Sequence, residues 1–180
     1  MPILASRIVS MPHSIDELNS ADCAGFSAAL GHLFEHSPWV AAETWARRPF
    51  RDALELHAEL CRTMRSASPE RQVDLIRSHP DLAGRVARQQ ELTAVSVREQ
   101  AGAGLDRLTP ADELEMQRLN EAYRTRFGFP FVICARLNNP GSILSAVKSR
   151  LLNDRSAELD TALAEIEKIA WLRLHDTLTA

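Results

Sequence analysis

Three times along the chain a small polar residue is followed by proline and then by apolar residues at helical spacing. The pairs are Ser68-Pro69, Thr109-Pro110 and Asn139-Pro140. A side-chain oxygen before the first turn satisfies a backbone N–H that the helix itself cannot, and proline fits a first-turn position where no N–H is required. Each pair therefore reads as a helix start. The stripes behind them are Val73, Leu75 and Ile76; then Met116, Leu119, Tyr123 and Phe127; then Ile143, Leu144, Val147 and Leu151. Gly128 closes the second of these helices. Further stripes run through Phe26, Leu30, Leu33 and Phe34 within residues 22–35, stopped by Ser37-Pro38, and through Phe50, Ala53, Leu54, His57, Leu60, Cys61 and Met64. The last runs through Leu159, Leu163, Ile166, Ile169, Ala170 and Leu174, with Ser156 expected as its cap. Only Phe129-Pro130-Phe131-Val132-Ile133-Cys134-Ala135 has no clear period, and a buried strand-like segment and the start of a buried helix both fit it. The expectation is an all-α protein, a single compact multi-helix domain of roughly seven to nine helices.

A chain of 180 residues is long enough to bury a core. Residues 1–15 are expected to form an N-terminal arm, anchored through Ile3, Leu4 and Ile8, and residues 16–180 the helical domain. The formal net charge is −3 with no basic block, which argues against a nucleic-acid partner. The three cysteines have no CxxC spacing and suit a reducing compartment. No apolar stretch reads as a signal peptide or membrane span, so a cytoplasmic protein with no membrane partner is expected.

The chemistry-bearing residues concentrate in residues 77–108. His79 precedes Pro80, whose ring restrains the backbone, and Asp81 can orient the imidazole if the turn brings the two together. Read alone, such a histidine is a loop residue or a helix C-terminal cation; beside fixed polar groups it suits proton transfer near neutral pH. Ser96-x-x-Glu99 has capping-box spacing, which gives the glutamate a structural role. The same helix start exposes amide donors suited to anions and carbonyls, and Gln100 adds a donor and an acceptor. His32 and His36 stand four apart but lack the glutamate and third ligand of a zinc motif. Arg173, late in the last helix, reads most simply as a solvated cation complementing the helix dipole.

Three motifs occur in order: HPDLAG from His79, SxxEQxxAGL from Ser96, and LNxxYxxxFGFPFVICAR from Leu119. Together with Leu18-Asn19, LFEHSPWVAAETWARRPF over residues 33–50 and the stretch from Ile169 to Leu174, they resemble the 2-oxo-4-hydroxy-4-carboxy-5-ureidoimidazoline (OHCU) decarboxylase family. The resemblance covers nearly everything after the arm. It implies an all-helical, usually dimeric enzyme that needs neither metal nor organic cofactor, taking a small ureidoimidazoline carboxylate to (S)-allantoin in the urate-to-allantoin pathway. On that likeness His79, Glu99 and Arg173 are catalytic. Pro80, the run Ser96, Val97, Arg98, Glu99 and Gln100, and the wall Phe131, Val132, Ile133, Cys134 and Ala135 bind substrate. Two other readings remain open: a non-catalytic helical ligand-binding or regulatory module, and a hydrolase of a related ureide.

Overall fold

The computed structural model describes residues 12–83 and 93–179. The expected arm before residue 12, with Ile3, Leu4 and Ile8, lies outside the described residues. Among those described, nine α-helices form: α1 (Ile15–Ser20), α2 (Cys23–Leu30), α3 (Trp39–Thr44), α4 (Ala53–Arg65), α5 (Pro69–Arg77), α6 (Ala94–Gly102), α7 (Pro110–Phe127), α8 (Pro140–Arg150) and α9 (Arg155–Thr177). There is no sheet among them; the lone β-bridge joins His13 to Leu178, with His13 N–H bonded to Thr177 O and Thr179 N–H to His13 O, both at 2.9 Å.

Eight of the nine helices start on a side-chain cap; α3, which follows Pro38, does not. The three polar–proline pairs behave as the sequence suggests: Ser68, Thr109 and Asn139 each accept from an N–H three residues on. Gly128 closes α7 at φ +80°, a conformation that glycine adopts without a Cβ penalty, and its N–H reaches Arg124 O at 2.8 Å. Two expectations are corrected. The last helix is capped by Asp154, which accepts from Ala157 N–H at 2.8 Å, so Ser156 lies inside it. The stripe of residues 22–35 is not one helix: α2 ends at Leu30 and a tighter turn, Gly31–Leu33, turns the chain before His36 at φ +46°.

The 23-residue α9 is the spine, about 34 Å long at 1.5 Å per residue. It packs against α2, α4, α5 and the Gly31–Leu33 turn, while α7 pairs with α8 and α6 lies against a short turn, Ala135–Leu137. The inner stripe of α9 includes Ala162, Leu163, Ile166, Ile169, Ala170 and Leu174, and a charged residue is buried towards each end of it, Glu158 and Arg173. The aperiodic run 129–134 is extended and deeply buried, its Phe129 and Phe131 rings standing against Tyr123. The run takes neither expected form in full: among the described residues it pairs with no strand, and only at Ala135 does a short helical turn begin.

Candidate active site

The cleft forms where the end of α5, the face of α6, the extended run and α9 meet. It has about 370 Å³ of space, counting its mouth, and is lined by His79, Pro80, Leu82, Ser96, Glu99, Gln100, Phe131, Val132, Ile133, Ala135, Ile169 and Arg173.

His79 sits just beyond α5, whose last carbonyls Ser78 and His79 cap through their N–H groups. Its Nδ1 lies 3.0 Å from Leu75 O. A carbonyl can only accept, so Nδ1 carries the proton and Nε2 presents a lone pair. That Nε2 is buried and, among the described residues, has no hydrogen-bond partner. Burial holds the imidazole down to about 4, the nearby Glu35 charge and the Leu75 carbonyl opposing it, so the ring is neutral at pH 7. Asp81 does not take the expected part in holding Nδ1: its carboxylate meets Arg124 Nε at 2.9 and 3.1 Å.

The capping box at Ser96 is also corrected. Thr93 is the N-cap of α6, accepting from Ser96 N–H at 3.2 Å, which moves Glu99 into the helix body. Ser96, Glu99 and Gln100 then share one face by the i, i+3, i+4 rule and line the cleft, whereas Val97 and Arg98 point away. Val97 is exposed, and Arg98 lines a neighbouring surface groove with Val95, Arg136 and Asp176, which Glu99 borders as well. Cys134 is likewise absent from the lining; it is buried, and its backbone N–H is held by Glu165 Oε2 at 2.8 Å. Gln100 bridges the loop after His79, accepting from Ala83 N–H and donating to Asp81 O, both at 3.3 Å.

Arg173 is not the solvated cation that its position suggests. Its side chain is 3% exposed and all five donors are engaged by the protein. Nε and Nη2 grip the two Glu99 oxygens at 3.0 and 2.7 Å. Nη1 meets Glu35 Oε2 at 3.0 Å and His32 O at 3.2 Å, and Nη2 also reaches Ser96 Oγ at 3.2 Å. Glu35 is the residue that the sequence reading missed. Burial opposes its ionisation, but Arg173 and the hydroxyls of Thr93 and Ser96 outweigh that and hold its carboxyl below the usual range. Its second oxygen, Oε1, is buried without a partner among the described residues. The one sign of it in the sequence is a carboxylate directly after the Leu33-Phe34 apolar pair. Leu82 and Ile169 also line the cleft unforeseen.

His32 and His36 do not share a helical face, because the chain turns between them; His32 Nε2 instead meets Thr177 Oγ1 at 3.1 Å. Among the described residues no group of three His, Cys, Asp or Glu side chains is placed to hold a metal ion.

The extended wall supplies backbone rather than side-chain polarity. Among the described residues the N–H groups of Val132 and Ile133 donate to no protein acceptor, so these lining residues carry free amides in a nearly buried position. A neutral lone-pair base, two carboxyl groups on one arginine and two unpaired amides suit a small, polar, planar molecule that must gain or lose a proton.

A sequence model of OHCU decarboxylase matches residues 19–175. The chain belongs to the OHCU decarboxylase family. It is 42% identical to the 2-oxo-4-hydroxy-4-carboxy-5-ureidoimidazoline decarboxylase of Halalkalicoccus jeotgali over 91% of this chain and 90% of that one. It is also 42% identical to the enzyme of that name from Mus musculus, over 91% and 92% of the two chains. Among solved structures it is similar to (S)-allantoin synthase, with a TM-score of 0.72 and 27% identity over 92% of this chain and 54% of that one. The family's motifs map onto the cleft through His79, Ser96, Glu99, Gln100 and the extended wall.

Proposed function

We propose that the protein decarboxylates 2-oxo-4-hydroxy-4-carboxy-5-ureidoimidazoline to (S)-allantoin in this cleft, with His79 as the proton carrier and Glu99 as a fixed acceptor for substrate N–H groups. The observation that carries this reading is the buried, unpartnered Nε2 of a neutral His79 in a cleft shared with Glu99. The substrate bears a carboxylate and a hydroxyl on one ring carbon, beside a carbon that is doubly bonded to nitrogen and carries the ureido group. As carbon dioxide leaves, its bonding pair forms a double bond to that neighbour, and the C=N pair passes to nitrogen, which takes a proton. The resulting enol loses its hydroxyl proton and gains one at the ureido-bearing carbon. Overall one proton is consumed.

The hydroxyl and the carbon to be protonated are adjacent, so one imidazole nitrogen can serve both. Nε2 accepts the hydroxyl proton, and an imidazolium that burial makes strongly acidic returns it to carbon. Glu99, clamped by two Arg173 donors, needs no reorientation when substrate arrives. Arg173, with its donors used, acts by fixing Glu99 and its charge. The amides of Val132 and Ile133 offer donors to the ring's carbonyl edge.

The test generates the unstable substrate in situ from urate with the upstream enzymes and follows optically active allantoin by circular dichroism. Acceleration over spontaneous decay is expected; its absence would sink the reading. Activity is expected to survive EDTA, because the substrate's own C=N group accepts the electron pair. We place the enzyme in the cytoplasm as a homodimer, on family likeness, and light scattering showing a monomer at micromolar concentration would overturn the dimer. No helix among the described residues is long and apolar enough to cross a membrane.

A further inference from the structure

Among the described residues the extended run that walls the cleft has no neighbouring strand, and side chains hold its backbone instead. Behind it lies a closed ionic network. Arg150, at the end of α8, donates through Nη1 to Val132 O at 2.8 Å, and its guanidinium stands 4.5 Å from the centre of the Phe131 ring. Its other donors, Nε and Nη2, meet Glu158 Oε1 at 2.8 and 2.5 Å. Glu158 is completely buried and is also held by Tyr123 Oη and by Asn153 Nδ2, the latter at 2.8 Å. An ion pair at this depth is costly to desolvate and is weak evidence for stability. What it supplies here is position. The single arginine fixes one carbonyl and one ring in consecutive residues, both of which line the cleft.

We infer that Arg150 is a positioning residue for the decarboxylation: by holding Val132 O and the Phe131 ring from behind, it fixes the unpaired amides of Val132 and Ile133 where the substrate ring meets them. Arg150 does not itself line the cleft and touches no reacting atom. This inference rests on the decarboxylase reading, and it extends that reading to a residue on the far side of the wall. Lysine at this position can keep the charge opposite Glu158, but one ammonium cannot bond that carboxylate, reach Val132 O and stack on the ring together.

The experiment compares wild type with Arg150→Lys and with the paired Arg150→Met, Glu158→Met variant, which removes both buried charges and leaves neither alone. Each protein is first shown to be folded by circular dichroism and assayed well below its Tm. Initial rates over a range of substrate concentrations are then measured with spontaneous decay subtracted, and optical purity of the allantoin is measured with enough enzyme that spontaneous decay is negligible. The expected result is a KM raised by about tenfold to a hundredfold with a smaller change in kcat, the scale of a modest misplacement of substrate, together with lower optical purity. A folded variant with wild-type KM and optical purity would overturn the positioning role even if its Tm had dropped. A wild-type protein with no acceleration over spontaneous decay would overturn the decarboxylase reading and this inference together.

Discussion

Helix α9 carries two buried charge clusters, and they differ in one respect. Around Glu158 the carboxylate is fully engaged: Tyr123, Arg150 and Asn153 together occupy both its oxygens. Around Arg173 the arginine is saturated, yet the groups beside it are not. Among the described residues Glu35 Oε1 and His79 Nε2 are both buried without partners. An orphaned buried polar atom costs roughly 1–3 kcal/mol, so a protein carries one where something else benefits. The closed cluster behaves as scaffold, and the open one borders the cleft with capacity left over for a ligand.

That contrast can be broken by substitution. His79→Asn keeps a polar side chain but removes the titrating nitrogen, and turnover should fall by about 10²–10⁴-fold with little change in Tm. A variant that keeps wild-type turnover would remove His79 from the chemistry. Glu99→Gln should cut turnover by about tenfold to a thousandfold while the fold is retained, because the amide can neither balance Arg173 nor accept through both oxygens. Now that Thr93 holds the cap, a Glu99→Gln enzyme with full turnover would leave Glu99 merely a counter-ion.

The open cluster should also reveal itself in stability against pH. Burial puts the His79 pKa at about 4 when folded, below its ordinary 6.5, so between those values the unfolded chain binds a proton that the folded chain does not. Stability is therefore full above about 6.5 and falls as the pH drops towards 4. Glu35, whose carboxyl is lowered by its partners, adds a loss of the same sign below its unfolded pKa. Urea unfolding across this range should show the decline, and His79→Asn should flatten it between 6.5 and 4; an unchanged slope would contradict the buried neutral imidazole. In the closed cluster the smallest effect is expected from Tyr123→Phe, which removes one donor to Glu158 and one weak acceptor for Arg150 Nη2, leaving the bonds of Arg150 to Glu158 and Val132 O in place. It should cost about 1–3 kcal/mol in urea unfolding with kcat/KM nearly unchanged. A large loss of turnover would mean that Tyr123, and not only Arg150, sets the position of the cleft wall.

What could be read from the sequence follows from how far apart the interacting groups lie. Caps at Ser68, Thr109 and Asn139 are hydrogen bonds across three residues, and they were legible. Where two cap-forming residues stand close together, local pattern cannot choose between them. Asp154 rather than Ser156 opens α9, and Thr93 rather than Ser96 opens α6. Arg173 follows Ile166, Ile169 and Ala170 at spacings of seven, four and three, which places it on the buried stripe, but its anion partners are remote in the chain. Glu35 meets it across 138 positions and Glu99 across 74. The resemblance to the OHCU decarboxylase motifs supplied His79, Glu99 and the wall. It did not supply Glu35, nor which residues of each run face inward, since that depends on helical phase fixed by the true cap.

The bridge between His13 and Leu178 has a mechanical consequence. His13 is bonded to both Thr177 and Thr179, so the two ends of the described helical body leave from one corner. Thr177 at that corner donates to Arg173 O at 2.7 Å, one turn back along α9. A load attached at either end, such as a tag or a joined domain, would pull first on the turn that carries the arginine. The scissile geometry of the cleft is thus tethered to the seam where the chain closes on itself, and the choice of attachment point becomes a choice about the active site.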